Sequence, residues 1–296
     1  MALSIALLWT LPAFGGPPRR TKTLKGHDNF VTSLDITAEG RLVASGSADG
    51  TVRIWSVEAG RARKTIRLGE GQTARRVLFS PDGKTLAVAF EGTVLLVATG
   101  SGEEKRRIDA GQEVLAIAFS PDGGAIAVAA GGLRVYSLAG GEEIERGPEQ
   151  IVAVAFAPDG RALALAGKDG VRLRARIDGA ERRLQEAAAR QVIFAPDGKS
   201  LITAGDDGQV RAVALEGAEL WAHADLAADG TLGSTGSLVL AGIGDRRIWA
   251  LSGDKGNEEW FLEGKTDDLQ TFALAPQAKI LATAGEGGSI DIWAWK

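Results

Sequence analysis

The chain offers few residues suited to chemistry. Its 296 residues hold two histidines, His27 and His223, and no cysteine. The lack of cysteine removes disulfides, thiolate nucleophiles and Cys-ligated metals, without choosing a compartment. HExxH, paired-Cys, Gly-x-Ser-x-Gly and P-loop spacings are all missing. The run GDDGQ (205–209) brings together Asp206 and Asp207, but no third or fourth oxygen ligand follows at calcium-loop spacing. His27, Ser45 and Asp49 have the side-chain types of a hydrolytic triad, the one set that could support acyl transfer. No metal, cofactor or acid–base pair is expected.

The elements that would position these residues recur along the chain. Seven turn triplets, AEG (38–40), PDG (81–83, 121–123, 158–160, 196–198), STG (234–236) and PQA (276–278), recur at intervals of about forty residues. Each PDG triplet follows an alternating apolar run such as VLAIAF (114–119). A small-residue strand such as AIAVAA (125–130), a Gly turn and a third alternating strand such as LRVYSL (133–138) come after it. Alternation at period two with Val, Ile, Leu and Phe signals strands, and Gly, Asp and Pro supply the turns between them. No segment has a helical period of useful length. The spacing predicts an all-β, seven-bladed propeller with four antiparallel strands per blade.

The first unit, GHDNFVTSLDITAEGRLVASGSADGTVRIWSV (26–57), resembles a WD-repeat (WD40) blade almost residue for residue. The resemblance implies that His27, Ser45, Asp49 and Trp55 form a structural tetrad. Trp55 would donate to Ser45, Ser45 to His27, and His27 to a buried Asp49. It therefore reads the His-Ser-Asp set as a blade staple and not as a triad. Other units have lost the pattern: Gln72 and Gln112 stand near the histidine position, and Val97 and Val213 replace the tryptophan. The similarity covers about residues 20–296 and weakens towards the middle. Blades five and six drift towards the quinoprotein (PQQ-like) repeat in VRAVALEGAELW (210–221) and IWALSGDKGNEEW (248–260), which makes Trp221 and Trp260 packing residues of outer strands. The residues near the axis read as mostly apolar. An exported propeller enzyme or quinoprotein-like module is the alternative to a scaffold.

The chain stops after the third strand of unit seven, IDIWAWK (290–296), while RTKTLKG (20–26) precedes the first blade without one of its own. Residues 20–25 are expected to supply the last blade's fourth strand, closing the ring, completing the domain and removing a free edge. Residues 17–296 then make one seven-bladed domain of 40 residues per blade. Residues 1–16 begin with the uncharged run ALSIALLWTLPAF (2–14), too short to span a bilayer as a helix. They fit a signal peptide, which implies export to the periplasm or medium, or else an apolar segment of a cytoplasmic protein.

The net charge of −4 is mild and predicts neither nucleic-acid nor membrane binding. Turn acids nevertheless gather on one rim of such a propeller, where the outer-to-inner loops and the second-to-third-strand loops emerge. They are Asp28, Asp49, Glu70, Glu91, Glu113, Glu149, Asp169, Asp206, Asp207, Asp245, Asp267, Asp268 and Glu286, against the bases Lys168, Arg190, Arg246 and Lys265. Asp206, Asp207, Asp267 and Asp268 are expected in turns outside any tetrad. Arg75 and Arg76 replace Thr32 and Ser33 of unit one; an arginine near the axis could meet a carboxylate, or simply pair with Glu70 or Glu91. The expected function is that of a monomeric, non-catalytic scaffold whose top face binds a protein or peptide, with the acidic rim favouring a basic one.

Overall fold

The Pro-Asp-Gly turns set the architecture. In each, the glycine N–H donates to the carbonyl three residues back, Gly83 to Ser80 at 2.8 Å and Gly198 to Ala195 at 2.9 Å. Gly83, Gly123, Gly160 and Gly198 all have φ between 67° and 71°, a left-handed conformation open to glycine at little cost. The aspartate before each glycine accepts from the backbone two residues on, as Asp82 does from Lys84 N–H at 3.0 Å and Asp159 from Arg161 N–H at 2.9 Å. Proline fixes the first turn residue, and the strands on either side fold back antiparallel.

The computed structural model describes residues 16–69, 71–224, 232–235, 237–243, 247–263 and 269–295. These residues form seven separate four-stranded antiparallel sheets and no helix. Blade one comprises Val31–Ile36, Leu42–Ser47, Thr51–Ser56 and Arg61–Arg67, from the axis outwards. Blades two to six repeat this order over 76–109, 116–149, 151–185, 189–223 and 232–263. Blade seven takes its inner three strands from Leu269–Ala275, Ile280–Gly285 and Ile290–Ala294, and its outer strand is Arg19–Leu24. That strand pairs with Ile290–Ala294 from Arg19↔Ala294 to Leu24↔Ile290, and the ring closes as the sequence predicts.

Second strands are buried on both faces: Ala125–Ala129, sequence AIAVA, is buried at every position. Stacked sheets lie about 10 Å apart, so alanine suits strands covered by a neighbour on each side. Seven apolar clusters result, each between adjacent blades. Leu133, Val135, Leu163 and Leu165 join blades three and four, and Leu24, Trp55 and Ile292 belong to the cluster joining blades seven and one. Two blades depart from the pattern. Blade six lacks a proline turn, and its inner strand shrinks to Leu232–Ser234. In blade seven the left-handed residue is Lys279 at φ 55°, one position beyond the PQA triplet, and its N–H donates to Pro276 O.

Candidate functional site

Blade one holds the only described histidine–carboxylate–hydroxyl constellation. The turn 48–50 brings Asp49 under the loop that carries His27, and Ser45 and Trp55 are diagonal neighbours on adjacent strands, where Ser45 is registered with Arg53 and Trp55 with Val43. His27 Nδ1 lies 2.8 Å from Asp49 Oδ2 and Nε2 lies 2.7 Å from Ser45 Oγ, while Trp55 Nε1–H donates to the same hydroxyl at 2.8 Å. A carboxylate can only accept, so Nδ1 carries the proton and Nε2 accepts from Ser45. Asp49 also accepts from Asp28 N–H, Thr51 N–H and Thr51 Oγ–H. Burial pushes the Asp49 carboxyl up, but the Thr51 and His27 hydrogen bonds outweigh it and hold its pKa at about 2. Burial lowers the His27 pKa, against the pull of Asp49, and keeps the ring neutral. The His27 side chain is 0% exposed and Ser45 is fully buried. Ser45 donates to His27 and accepts from Trp55, so its hydroxyl has no access to an external carbonyl.

Other blades keep fragments of this chain, and two were missed in the sequence. Trp293 Nε1–H donates to Thr283 Oγ at 2.9 Å across the ten-residue spacing that separates Ser45 from Trp55. Blade five sets Thr203 on Gln185 Oε1 at 2.9 Å. Its Asp207, with no histidine to meet, takes the Arg211 guanidinium (Nη1 to Oδ1, 3.1 Å), whose side chain is 10% exposed. Trp221 is buried on its outer strand, with Nε1–H donating to Gly253 O at 2.9 Å. Trp260 packs 6.0 Å from Trp295, ring centroid to centroid.

The axis differs from its expected apolar character. A cavity of about 210 Å³ there is lined by Thr32, Ser33, Gln191, Gln270, Thr271 and Arg76 beside Leu34, Val77, Leu78 and Ile117. Inner strands have a free edge, and neighbouring side chains satisfy it. Val77 N–H donates to Ser33 Oγ at 3.1 Å, Phe79 N–H to Asp35 Oδ2 at 2.6 Å, and Leu232 N–H to Gln191 Oε1 at 3.2 Å. Asp35, in the inner strand VTSLDI and against the inner strand of blade two, is a polar residue that sequence reading passed over. Burial raises its pKa to about 7 against the Phe79 and Ile36 N–H groups.

Register shifts explain what reaches the axial opening. The inner strands of blades one, four, five and seven each hold one extra residue, Thr32, Val152, Arg190 and Gln270. A bulge re-aims the side chain it carries. All four line the axial cavity or a second pocket at its mouth. That pocket, about 310 Å³, is walled by Arg76, Leu115, Val152, Gly167, Lys168, Ala189, Arg190 and Asp206.

Of the nine described rim acids, four pair with arginine. Arg75 pairs with Glu113 at 3.1 Å, not with Glu70 or Glu91, and Asp169 pairs with Arg172 at 3.3 Å. Asp206 pairs with Arg190 and Asp207 with Arg211, so neither is a free turn charge. Among the described residues, Asp28, Glu91, Glu149 and Glu286 keep carboxylates without an ion pair. Glu70, Asp245, Arg246, Lys265, Asp267 and Asp268 lie outside the described residues, as do residues 1–15 of the apolar leader. Among the described residues no helix is long and apolar enough to cross a membrane, and no group of three or more His, Asp or Glu could hold a metal.

Comparison with known proteins agrees with this geometry. The family model "WD domain, G-beta repeat" (WD40) matches residues 18–56, the closing outer strand of blade seven with the three inner strands of blade one, and 185–212, which reaches from the end of blade four into the third strand of blade five. A ribosome biogenesis protein BOP1 homolog of Oryza sativa subsp. japonica is 40% identical over 82 residues, 27% of this chain and 12% of that protein. Eukaryotic translation initiation factor 3 subunit I of Debaryomyces hansenii is 36% identical over 83 residues, 28% of this chain and 22% of the relative. The matches thus span about an eighth and about a fifth of these relatives' own length.

Proposed function

From a chain that carries WD40 repeats and closes a seven-bladed ring, we infer a monomeric, non-catalytic scaffold that presents its top face to a protein or peptide. One observation carries the reading: the His27–Ser45–Asp49 set is consumed by its own hydrogen bonds and sealed from solvent, which makes it a blade staple. The relatives support work within larger assemblies, since they are named for ribosome biogenesis and for a subunit of a translation initiation factor. Those names favour an intracellular setting over export. Cleavage of residues 1–16 would reverse that, leaving residues 17–296 as the mature propeller. A basic partner segment would lie over blades seven, one and two, where Asp28, Glu91 and Glu286 keep free carboxylates.

Capture from the native host with a C-terminal tag, followed by N-terminal sequencing of the recovered chain, tests both points. A stoichiometric partner should be lost on joint Asp28→Lys, Glu91→Lys and Glu286→Lys substitution. It should be retained on Glu39→Lys and Glu216→Lys, which alter the opposite face. Equal capture by both variants would remove the top-face reading.

A further inference from the structure

Among the described residues, the axial mouth and the outer rim differ in the sign of their free charge. At the mouth, Arg75 is taken by Glu113 and Arg190 by Asp206. Arg76 has no acidic partner among the described residues; its one hydrogen bond goes to Arg75 O at 3.0 Å. Lys168 forms neither a hydrogen bond nor an ion pair among the described residues. Arg76 is also the residue shared by the axial cavity and the mouth pocket, so its guanidinium stands where one opens into the other. The Arg76 side chain is exposed at this opening, with the like charge of Arg75 beside it. The next pocket wall is apolar, with Leu115 36% exposed and Val152 beside it.

We propose that this mouth binds the carboxylate of an acidic peptide segment, held by Arg76 and Lys168 with a neighbouring apolar side chain on Leu115 and Val152. The proposal rests on the scaffold reading and specifies its partner. A planar guanidinium fork matches a carboxylate's two oxygens, and such charge-assisted bonds are about twice as strong as neutral ones. Glu113 and Asp206 are each held by an arginine of their own, so the Arg76 guanidinium and the Lys168 ammonium are left to take the incoming carboxylate. With Asp28, Glu91 and Glu286 further out, the face is bipolar. A segment lying across it would place an acid at the axis and a base over blades seven, one and two.

The test uses the full chain and capped Leu-Glu-Leu, Leu-Gln-Leu and Leu-phosphoserine-Leu peptides, titrated by nuclear magnetic resonance. The Glu peptide should bind about 10-fold or more tighter than the Gln peptide, from one charge-assisted pair. Arg76→Gln should bring that ratio to near one with an unchanged melt, and Lys168→Gln should lower it in part. Arg67→Gln, on the outer strand of blade one, should leave it alone. Equal Glu and Gln binding, tightest binding of the phosphoserine peptide, or a ratio that survives Arg76→Gln would overturn the proposal. If a partner captured through the top face ignores Arg76→Gln, the scaffold stands and this site falls. If the peptide ratio holds while no top-face variant loses a partner, the site stands and the scaffold reading falls.

Discussion

Asp35→Asn should stabilise the propeller at pH 8 and leave it nearly unchanged at pH 4. The Asp35 carboxyl lies between the inner strands of blades one and two, accepting from Phe79 N–H at 2.6 Å, with no cation paired to it among the described residues. Its folded pKa of about 7 exceeds the ordinary 3.8 because burial disfavours the charge. Between those values the folded chain keeps a proton that the unfolded chain has released. Stability therefore falls as pH rises from about 4 to about 7 and is flat above that. At about 1.4 kcal/mol per pH unit the full separation caps the effect near 4 kcal/mol. Asp35 is only partly buried by accessible surface, and water from the channel lowers the expected gain to about 1–3 kcal/mol. Asparagine is neutral throughout and keeps the acceptor for Phe79. Urea unfolding of both proteins from pH 4 to 8 at fixed ionic strength isolates this group, because the other titrations cancel in the difference. A difference that stays constant with pH, or an Asn variant less stable at pH 8, would refute the reasoning.

Three further outcomes follow from the same contacts. Asp49→Ala should cost about 1–3 kcal/mol in denaturant melts, since it strands the buried His27 Nδ1–H and the Thr51 hydroxyl; melts matching the parent would mean that the tetrad bears no weight. The same site gives an acid limb: both Asp49 and His27 have lowered folded pKa values, so their contribution is complete above about pH 6.5 and is lost as pH falls, the Asp49 part last, near pH 2. That limb should flatten in a joint His27→Gln, Asp49→Asn variant. Thr283→Val should cost about 1–2 kcal/mol by leaving the buried Trp293 N–H without an acceptor, whereas Val97→Ile should change packing alone.

Features that repeat locally were readable from sequence. Each Pro-Asp-Gly triplet specifies its own turn, because the backbone hydrogen bond, the aspartate acceptor and the left-handed glycine all lie within five residues. Blade one was readable to the side chain, since His27, Ser45, Asp49 and Trp55 each stand at a recognisable place in a complete pattern. Blade six was faint for the opposite reason, with no proline turn and an inner strand of three residues. Rim charge could be counted but not balanced. Whether Arg75 meets Glu91 or Glu113, or Asp207 finds Arg211, depends on which loops the ring brings together. The polar axis was hidden because one extra residue in an inner strand decides whether Thr32, Arg190 or Gln270 turns inward. Period-two alternation carries no signal for such an insertion.

The clasp between Arg19–Leu24 and Ile290–Ala294 has a consequence for the order of assembly. Its partners are 271 residues apart at Arg20 and Asp291, and joining ends so distant costs on the order of 5 kcal/mol of chain entropy. During synthesis Arg19–Leu24 emerges ahead of the other described strands and has no mate until Ile290–Ala294 is made. Six blades can stack in sequence while Leu24 waits and the apolar side of blade one stays uncovered. Docking of the waiting strand is then the slow, non-local step that turns an arc into a ring. With no cysteine to lock it, the same seam is where a finished molecule would open first under load or mild denaturant.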